Sequence, residues 1–345
     1  MNVAIIGATG YSGLELIRLL HKHPRVNIHS IYTSSQQGEA ICDVYPHLKK
    51  LINYTLEDIQ IKEIKKSCDL VFTATPTGVS TKVVPPLLEA GLKVIDLSGD
   101  FRLKDNALYE QWYGMKQDHT NILQEAVYGL TEWSRHALSQ AHFVANPGCF
   151  PTAVLLGLAP LVQHDMIEKH SIIIDAKTGV SGAGKNPSAV THFSETNENI
   201  KIYRVNEHQH TPEIEQMLSI WNEEIKPVTF STHLVPMTRG IMATMYVQVK
   251  DKRSASELLN IYQQAYEHSY FVRVRENGTL PTTKDVYGSN FCDIALTYDE
   301  RTNRITIVSV IDNLVKGAAG QAVQNMNLML GFDEKDGLDV IPIYP

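Results

Sequence analysis

The sequence predicts two domains of different construction: a doubly wound parallel α/β sheet, then an α+β domain with a largely antiparallel sheet. Three observations predict this. Residues 1–148 alternate short apolar runs with stretches of helical periodicity, the pattern of a parallel sheet wrapped by helices. From residue 149 the pattern changes to several alternating strands with few helices between them. The length, 345 residues, corresponds to two domains at roughly 150 residues each. Composition narrows the class further. Apolar residues make up 43% and charged residues 20%, as in an ordinary globular protein. The net charge of −7 and a pI near 6.1 argue against a generally basic nucleic-acid binder. No apolar run reaches the roughly 18 residues of a membrane span; the longest, Ala153 to Val162, holds Gly157 and Pro160. The start, Met1 to Gly7, has no basic region and enters a strand at once, unlike a signal peptide. Four scattered cysteines (42, 68, 149, 292) form neither a disulfide framework nor a CxxC zinc site. The expectation is a cytoplasmic chain in a reducing compartment, with no metal, membrane or nucleic acid.

The elements follow in order. Val3 to Ile6 is a strand, Gly7-Ala8-Thr9-Gly10-Tyr11-Ser12-Gly13 a glycine turn, and Leu14, Leu16, Ile17, Leu19 and Leu20 the apolar face of a helix. In such a unit one glycine makes the turn, one admits a pyrophosphate and one lets helix and strand pack; the open N–H groups of the helix face the phosphates. The expectation is a Rossmann-type dinucleotide site, with Gly7, Thr9, Gly10, Tyr11, Ser12 and Gly13 as cofactor contacts; a structural glycine turn is the alternative. The second strand, Val26 to Tyr32, ends in Thr33-Ser34-Ser35 rather than an acidic residue. Small hydroxyls tolerate a 2′-phosphate, so the cofactor expected is NADPH/NADP; a plain loop without preference is the alternative. Asp69 to Ala74 is a buried strand, and Thr75-Pro76-Thr77-Gly78 turns at the carboxyl edge of the sheet, where ligands bind. Thr75, Pro76 and Gly78 join the cofactor set there. Ser80 to Ala90 is helical, interrupted by Pro85 and Pro86. Lys93 to Ser98 is the next strand, leading into Gly99-Asp100-Phe101-Arg102 and adding Ser98 to the cofactor set.

A further strand ends in Asn146-Pro147-Gly148, and Cys149 opens a strongly apolar helix. The positive end of a helix dipole favours a thiolate, and the same N–H groups suit an oxyanion. Cys42, Cys68 and Cys292 read as packing residues. A cysteine nucleophile needs a proton carrier, and His208-Gln209-His210-Thr211-Pro212-Glu213 is the best candidate. An HxH pair alone also fits a metal site, but no third ligand with helical spacing accompanies it. Strands are expected at Ser171 to Lys177, Met242 to Lys250, Phe271 to Arg275, Asp293 to Thr297 and Arg304 to Val310. Helices are expected at Ser254 to Tyr266 and Lys316 to Leu330, where the Met-Asn segment Gln324 to Met329 reads as packing.

Taken together, seven segments carry a resemblance: Gly-Ala-Thr-Gly-Tyr-Ser-Gly at 7–13, Asp-Leu-Ser-Gly-Asp-Phe-Arg at 96–102, Asn-Pro-Gly-Cys-Phe-Pro-Thr at 146–152, Lys-Thr-Gly-Val-Ser-Gly-Ala-Gly-Lys at 177–185, His-Gln-His-Thr-Pro-Glu-Ile at 208–214, Pro-Met-Thr-Arg-Gly at 236–240 and Asn-Leu-Val-Lys-Gly-Ala-Ala-Gly-Gln-Ala at 313–322. Over essentially its whole length the chain resembles the N-acetyl-γ-glutamyl-phosphate reductases, the acyl-phosphate reductases of arginine biosynthesis. Phe150 stands where that family usually has Tyr, and Gln209 where it often has Arg.

The resemblance implies an NADPH-dependent reduction of N-acetyl-γ-glutamyl phosphate to the semialdehyde, with release of phosphate, through a thioester on Cys149. It puts the catalytic histidine on His208, with His210 the alternative, and has His210 and Glu213 order the site. It makes Ser181-Gly182-Ala183-Gly184-Lys185 a further cofactor-phosphate contact (Ser181, Gly182 and Gly184, with Asn313), a mobile glycine turn being the alternative. Gly179-Val180-Ser181-Gly182-Ala183 misses the hydrolase elbow GxSxG by its last residue. Arg102, Lys177, Lys185, Arg204 and Arg239 place cations in the motif segments of an acidic protein, and Arg239 is the best bidentate grip for an anion. Substrate contacts expected are therefore Arg102, Asn146, Lys177, Arg204, His210, Glu213 and Arg239. The resemblance further suggests domains at 1–148 and 149–314, a C-terminal helix in 315–345 that packs back on the first, and a homodimer or homotetramer. Within the same chemistry the rivals are aspartate-semialdehyde dehydrogenase and the aminoadipyl reductase of lysine biosynthesis. Outside it, the rival is a cofactor-binding regulator with a dead site, against which intact Cys149 and His208 argue.

Overall fold

The computed structural model describes residues 1–276 and 278–345. They form two compact units: Met1–Pro147 with Ala318–Asp339, and Gly148–Gly317 with Val340–Pro345. The chain thus crosses between units at Pro147/Gly148 and again at Gly317/Ala318. The last six residues do not stay with the first unit, as expected for 315–345, but return to the second, where Ile343 N–H donates to Tyr287 O at 2.9 Å.

The first unit holds strands β1 (Asn2–Ile6), β2 (Asn27–Tyr32), β3 (Leu56–Glu57), β4 (Leu70–Thr73), β5 (Lys93–Asp96), β6 (Val127–Tyr128) and β7 (Phe143–Ala145). They pair in the order β3-β2-β1-β4-β5-β7-β6, every pair parallel. Near-continuous burial along β1 and β4 is what a sheet covered on both faces requires. The order reverses at β1, so the turns that leave β1 and β4 meet at a topological switch point. Gly7 shows how tightly: at φ +87° it lies in the left-handed region, and an added Cβ would overlap the Ala74 carbonyl. Helix Tyr11–Leu20 follows, with Leu16, Ile17, Leu19 and Leu20 buried. Helix Ser80–Glu89 runs unbroken through Pro85 and Pro86, contrary to the expected interruption. Burial of Val84, Pro85 and Leu87 outweighs the two missing N–H donors.

The unit is completed by helix Gly320–Met329, which packs on helices Tyr11–Leu20 and Thr131–Gln140. It starts later than expected, because Val315–Ala319 is a π-turn. The helix is buried nearly all round, and its amides make that possible. Gln321 Nε2 donates to Gly129 O (2.8 Å) and Thr131 Oγ1 (2.6 Å), Asn325 Nδ2 donates to Gly129 O (2.8 Å), and Asn327 Oδ1 lies 2.9 Å from His23 Nε2. Each bond satisfies a polar group that burial would otherwise penalise by about 1–3 kcal/mol.

The second unit holds β8 (Ile173–Thr178), β9 (Lys201–Tyr203), β10 (Thr229–Leu234), β11 (Ile241–Gln248), β12 (Val272–Val274), β13 (Cys292–Asp299) and β14 (Arg304–Ile311), in the order β12-β13-β14-β11-β8-β10-β9. The sheet is mixed: β10 pairs with β8, and β12 with β13, in parallel, while the other pairs are antiparallel. Helix Thr211–Trp221 lies in the connection that lets β10 run parallel to β8. Helix Cys149–Gln163 packs on β11 and β14. Along β11, Ile241, Ala243, Met245 and Val247 are buried, while Met242, Thr244, Tyr246 and Gln248 line a half-exposed opposite face. Among the described residues no helix is long and apolar enough to cross a membrane.

The three glycines of the first turn separate by experiment. An added Cβ at Gly13 would lie 2.8 Å from Ala8 Cα, whereas at Gly10 the nearest atom is 3.5 Å away. Gly7→Ala and Gly13→Ala are each expected to cost about 2 kcal/mol or more. Gly10→Ala should leave the thermal midpoint within a degree or two. Melting curves of the three variants check this.

Candidate active site

The first-unit turn has the form of an anion cradle. Gly10 caps helix Tyr11–Leu20 with no side-chain hydrogen bond, and no acidic residue stands in the first turn. The N–H groups of Tyr11, Ser12 and Gly13 therefore open the helix at its positive end. Thr9 lies beside it, its hydroxyl 3.4 Å from that of Thr33 and its carbonyl accepting from Tyr45 OH at 2.8 Å. Thr33 is buried, while Ser34 and Ser35 are exposed past the end of β2. The register adds what the linear sequence hides: Glu57 on β3 pairs with Tyr32, so a carboxylate does stand one strand over from that end.

At the carboxyl edge of β4, Thr75, Pro76 and Gly78 form an exposed to half-exposed turn, and Gly78 N–H donates to both oxygens of Asp100 (2.8 and 2.9 Å). Three residues expected here to meet ligand are turned to other work. Ser98 is buried with its hydroxyl on Asp96 Oδ2 at 2.7 Å. Arg102 is buried and donates to Asn146 O (2.8 Å) and Leu97 O (2.7 Å). Asn146 is fully buried, donating to Ala318 O at 3.1 Å and accepting from Asn325 Nδ2 at 3.0 Å. Arg102 and Asn146 thus brace the ends of β5 and β7 from within the unit.

In the second unit Cys149 is the first residue of helix Cys149–Gln163, capped by Gly148, with no acidic residue in the first turn. Thr152 N–H and Oγ1 both donate to Gly148 O at 2.9 Å. Gly148 N–H is taken by Glu213 Oε1 at 2.8 Å. Glu213 is fully buried, and this bond fixes the backbone under the cysteine. From the other side comes Gly317, where an added Cβ would lie 2.8 Å from Cys149 Cβ.

Around this helix start lie the two histidines. His208 is buried among Phe150 (5.3 Å between ring centroids), Phe230 (5.3 Å), Tyr203 (5.7 Å) and His210 (4.9 Å). His210 N–H donates to His208 Nδ1 at 3.1 Å, so neutral His208 carries its proton on Nε2. Burial, and then the Arg204 charge, push His208 down to about 4. Burial, and then the Cys149 charge, push the Tyr203 hydroxyl up. His210 caps helix Thr211–Trp221 and lies 6.0 Å from Phe150.

Of the other expected contacts, Ser181 and Asn313 are buried against each other. Asn313 Nδ2 donates to Ser181 Oγ at 3.0 Å, and Asn313 Oδ1 accepts from Gly240 N–H at 2.7 Å. These two side chains brace the loop that carries the exposed Gly182, Gly184 and Lys185. Lys177 points to the half-exposed sheet face, held by Asp175 Oδ2 at 2.6 Å, and His233 meets the same carboxylate at 3.1 Å. That pairing, on the face opposite helix Cys149–Gln163, separates Lys177 from the cysteine cluster. Arg204 is exposed at φ +46°, donating to Gln209 Oε1 at 3.0 Å. Arg239 is partly exposed, 3.7 Å from the buried Asp312. Among the described residues no group of three or more His, Cys, Asp or Glu could hold a metal ion. Asp100, Tyr203, Phe230 and Gly317 carried no assigned role in the sequence. Asp100 and Gly317 lie inside quoted motifs; Tyr203 and Phe230 had no signal.

Comparison with known proteins bears on both units. A family model described as "Semialdehyde dehydrogenase, NAD binding domain" matches residues 2–141, and one described as "Semialdehyde dehydrogenase, dimerisation domain" matches 149–313. A curated relative from Geobacillus sp. (strain WCH70), named N-acetyl-gamma-glutamyl-phosphate reductase, is 59% identical over 345 residues, the whole of both chains. A relative of the same name from Bacillus anthracis (strain CDC 684 / NRRL 3495) is 57% identical over 344 residues, again covering all of both chains. Among solved structures, aspartate semialdehyde dehydrogenase II from Vibrio cholerae, complexed with ASA, has a TM-score of 0.73 at 20% identity, covering 96% of this chain and 98% of that one. Aspartate semialdehyde dehydrogenase with NADP from Candida albicans has a TM-score of 0.69 at 16% identity, covering 95% and 98%. At those identities the likeness is one of fold.

The depressed His208 makes a pH prediction. Its folded value of about 4 lies below the ordinary 6.5, so between these the unfolded chain binds a proton that the folded chain refuses. Stability therefore falls as pH drops from about 6.5 to about 4, and this contribution levels off below. Melting midpoints across that window should fall less steeply for His208→Gln than for the parent chain.

Proposed function

Because this chain belongs to the N-acetyl-γ-glutamyl-phosphate reductase family, we propose that it reduces N-acetyl-γ-glutamyl phosphate to N-acetylglutamate semialdehyde with NADPH, releasing phosphate, in arginine biosynthesis. The observation that carries the chemistry is Cys149 at a helix start with no acidic residue in its first turn, its preceding residue pinned by buried Glu213, with buried His208 and His210 close by.

The residues fit the cofactor. The open N–H groups after Gly10 suit a pyrophosphate, and exposed Ser34 and Ser35 suit a 2′-phosphate. The Thr75–Gly78 turn would support the nicotinamide end. When bound, the reduced nicotinamide supplies a hydride. The chain's own residues do the rest. Cys149 thiolate attacks the acyl carbon; the C–S bond forms as the C–O bond to phosphate breaks, leaving a thioester. The first-turn N–H groups of the helix, Phe150's among them, hold the carbonyl oxygen as it gains charge. His208, neutral and with Nδ1 already accepting from His210, offers Nε2–H to the same oxygen. Once the thioester carbon is reduced, the C–S bond breaks, the aldehyde leaves and the thiolate returns. His208 thus acts as a hydrogen-bond donor near neutral pH, and His210 is the alternative proton carrier. Arg239, with Arg204 second, is proposed to hold the substrate's anionic groups. A thiol of this kind works in a reducing compartment, in line with a cytoplasmic setting.

A homodimer formed through the half-exposed face of the mixed sheet accompanies this reading. The matching model for 149–313 is described as a dimerisation domain. The face presents Ile173, Met242, Thr244, Tyr246 and Val308, with Ile173 paired to Tyr246 and Thr244 to Val308. A second copy of the same face would cover it.

Two experiments test these readings. Reverse turnover, from semialdehyde, phosphate and NADP, should fall at least about a thousandfold in Cys149→Ser, and substrate without cofactor should leave an acyl group on Cys149 detectable by mass spectrometry. A near-parental rate in the variant would sink the mechanism. Thr244→Arg should halve the mass found by light scattering; an unchanged mass places the interface elsewhere.

A further inference from the structure

Two fully buried carboxylates, Asp96 and Asp100, stand behind the turn that leaves β4, and the reaction scheme uses neither. Each takes hold of one end of that turn. Asp96 Oδ1 accepts from Thr73 Oγ1 (2.6 Å) and Ser80 Oγ (2.7 Å), and Ser80 Oγ lies 2.9 Å from Thr75 Oγ1. Asp100 accepts the Gly78 N–H on both oxygens (2.8 and 2.9 Å) and the Tyr109 hydroxyl on Oδ1 (2.8 Å). Asp100 is itself immobilised: its N–H donates to Ser98 Oγ at 3.1 Å, and Gln117 Nε2 donates to its carbonyl at 2.5 Å. Tyr109 is buried and stacked on Tyr113 at 4.8 Å with 15° between the rings. Gly78 holds φ at +85°, a conformation that favours glycine, and an added Cβ would lie 2.8 Å from Met115 Sδ. Among the described residues neither carboxylate has a cationic partner; the nearest charge in the segment, Arg102, is spent on carbonyls. A buried carboxylate without a cation is costly.

We propose that Asp100 is a positioning residue for the nicotinamide end of the cofactor, fixing the Thr75–Gly78 turn through the Gly78 N–H while Tyr109 fixes Asp100. The role rests on the reading of that turn given above. It acts on one end of the dinucleotide only, since the adenine end would lie at Gly7–Gly13 and Thr33–Ser35.

The test compares two ligands by calorimetry: NADPH, and adenosine 2′,5′-bisphosphate, which lacks the nicotinamide half. Asp100→Ala should weaken NADPH about tenfold or more and leave the bisphosphate unchanged. Asp100→Asn, whose Oδ1 can keep both hydrogen bonds, should restore most of the loss, and Tyr109→Phe should fall between. Equal weakening of both ligands, or of neither, overturns the proposal. Should Asp100→Ala fail to fold, Tyr109→Phe decides by the same criterion: selective loss of NADPH supports the role and equal or no loss overturns it. A parent chain that binds the bisphosphate but not NADPH overturns the reading of the turn, and one that binds neither overturns the cofactor reading; both take this role with them.

Discussion

Glu213 buries its carboxylate completely and commits one oxygen to the backbone N–H of Gly148. Much of the nucleophile's environment depends on that bond. With its N–H so bound, Gly148 is held as the cap, and Cys149 follows as the first residue of the helix. A charge-assisted bond of this kind is worth more than an ordinary one and is costly to break once buried. The other wall is steric. Gly317 comes so close to Cys149 that no side chain fits between them. Within the first unit, Arg102 and Asn325 hold Asn146, two residues before the crossing. The chain on both sides of the crossing is therefore held by buried hydrogen bonds.

Net charge misleads in the same region. The chain carries −7 overall, and five cations in the motif segments looked like the compensation an anionic substrate requires. They are not idle charges: Arg102 binds carbonyls, Lys177 binds Asp175, Arg204 binds Gln209 and Arg239 leans on Asp312. Two helix starts, Tyr11 and Cys149, add positive ends with no acidic residue in the first turn.

Local signals in the sequence carried the glycine turn, the helix behind it and the cysteine at its helix start, because each is encoded within about fifteen residues by periodicity and glycine spacing. What the linear sequence hides depends on partners far along the chain. Thr229–Leu234 has the alternation of a strand, but only its pairing shows that it runs parallel to β8 within a largely antiparallel sheet. Ser181 and Asn313 are each other's partner across 132 residues. Ser98 and Asn146 likewise have protein partners: a polar residue in a motif can face a ligand or hold the loop that does. The prolines of helix Ser80–Glu89 failed in the opposite direction, since tertiary burial overrode a local rule.

Helix Gly320–Met329 completes a sheet domain whose other parts lie in residues 1–147. Its amide bonds to Gly129 and Thr131 span about 190 residues, and its contact with His23 spans 304. During synthesis, the first domain emerges without this helix and cannot cover the polar carbonyl of Gly129 or bury the outer faces of helices Tyr11–Leu20 and Thr131–Gln140. It must wait while the whole second unit is translated. The contacts that finish it have high sequence separation, so their loop-closure entropy is met last. Residues 148–317 are thus all synthesised before the amino-terminal unit is complete, and the last six residues join the second unit only after that.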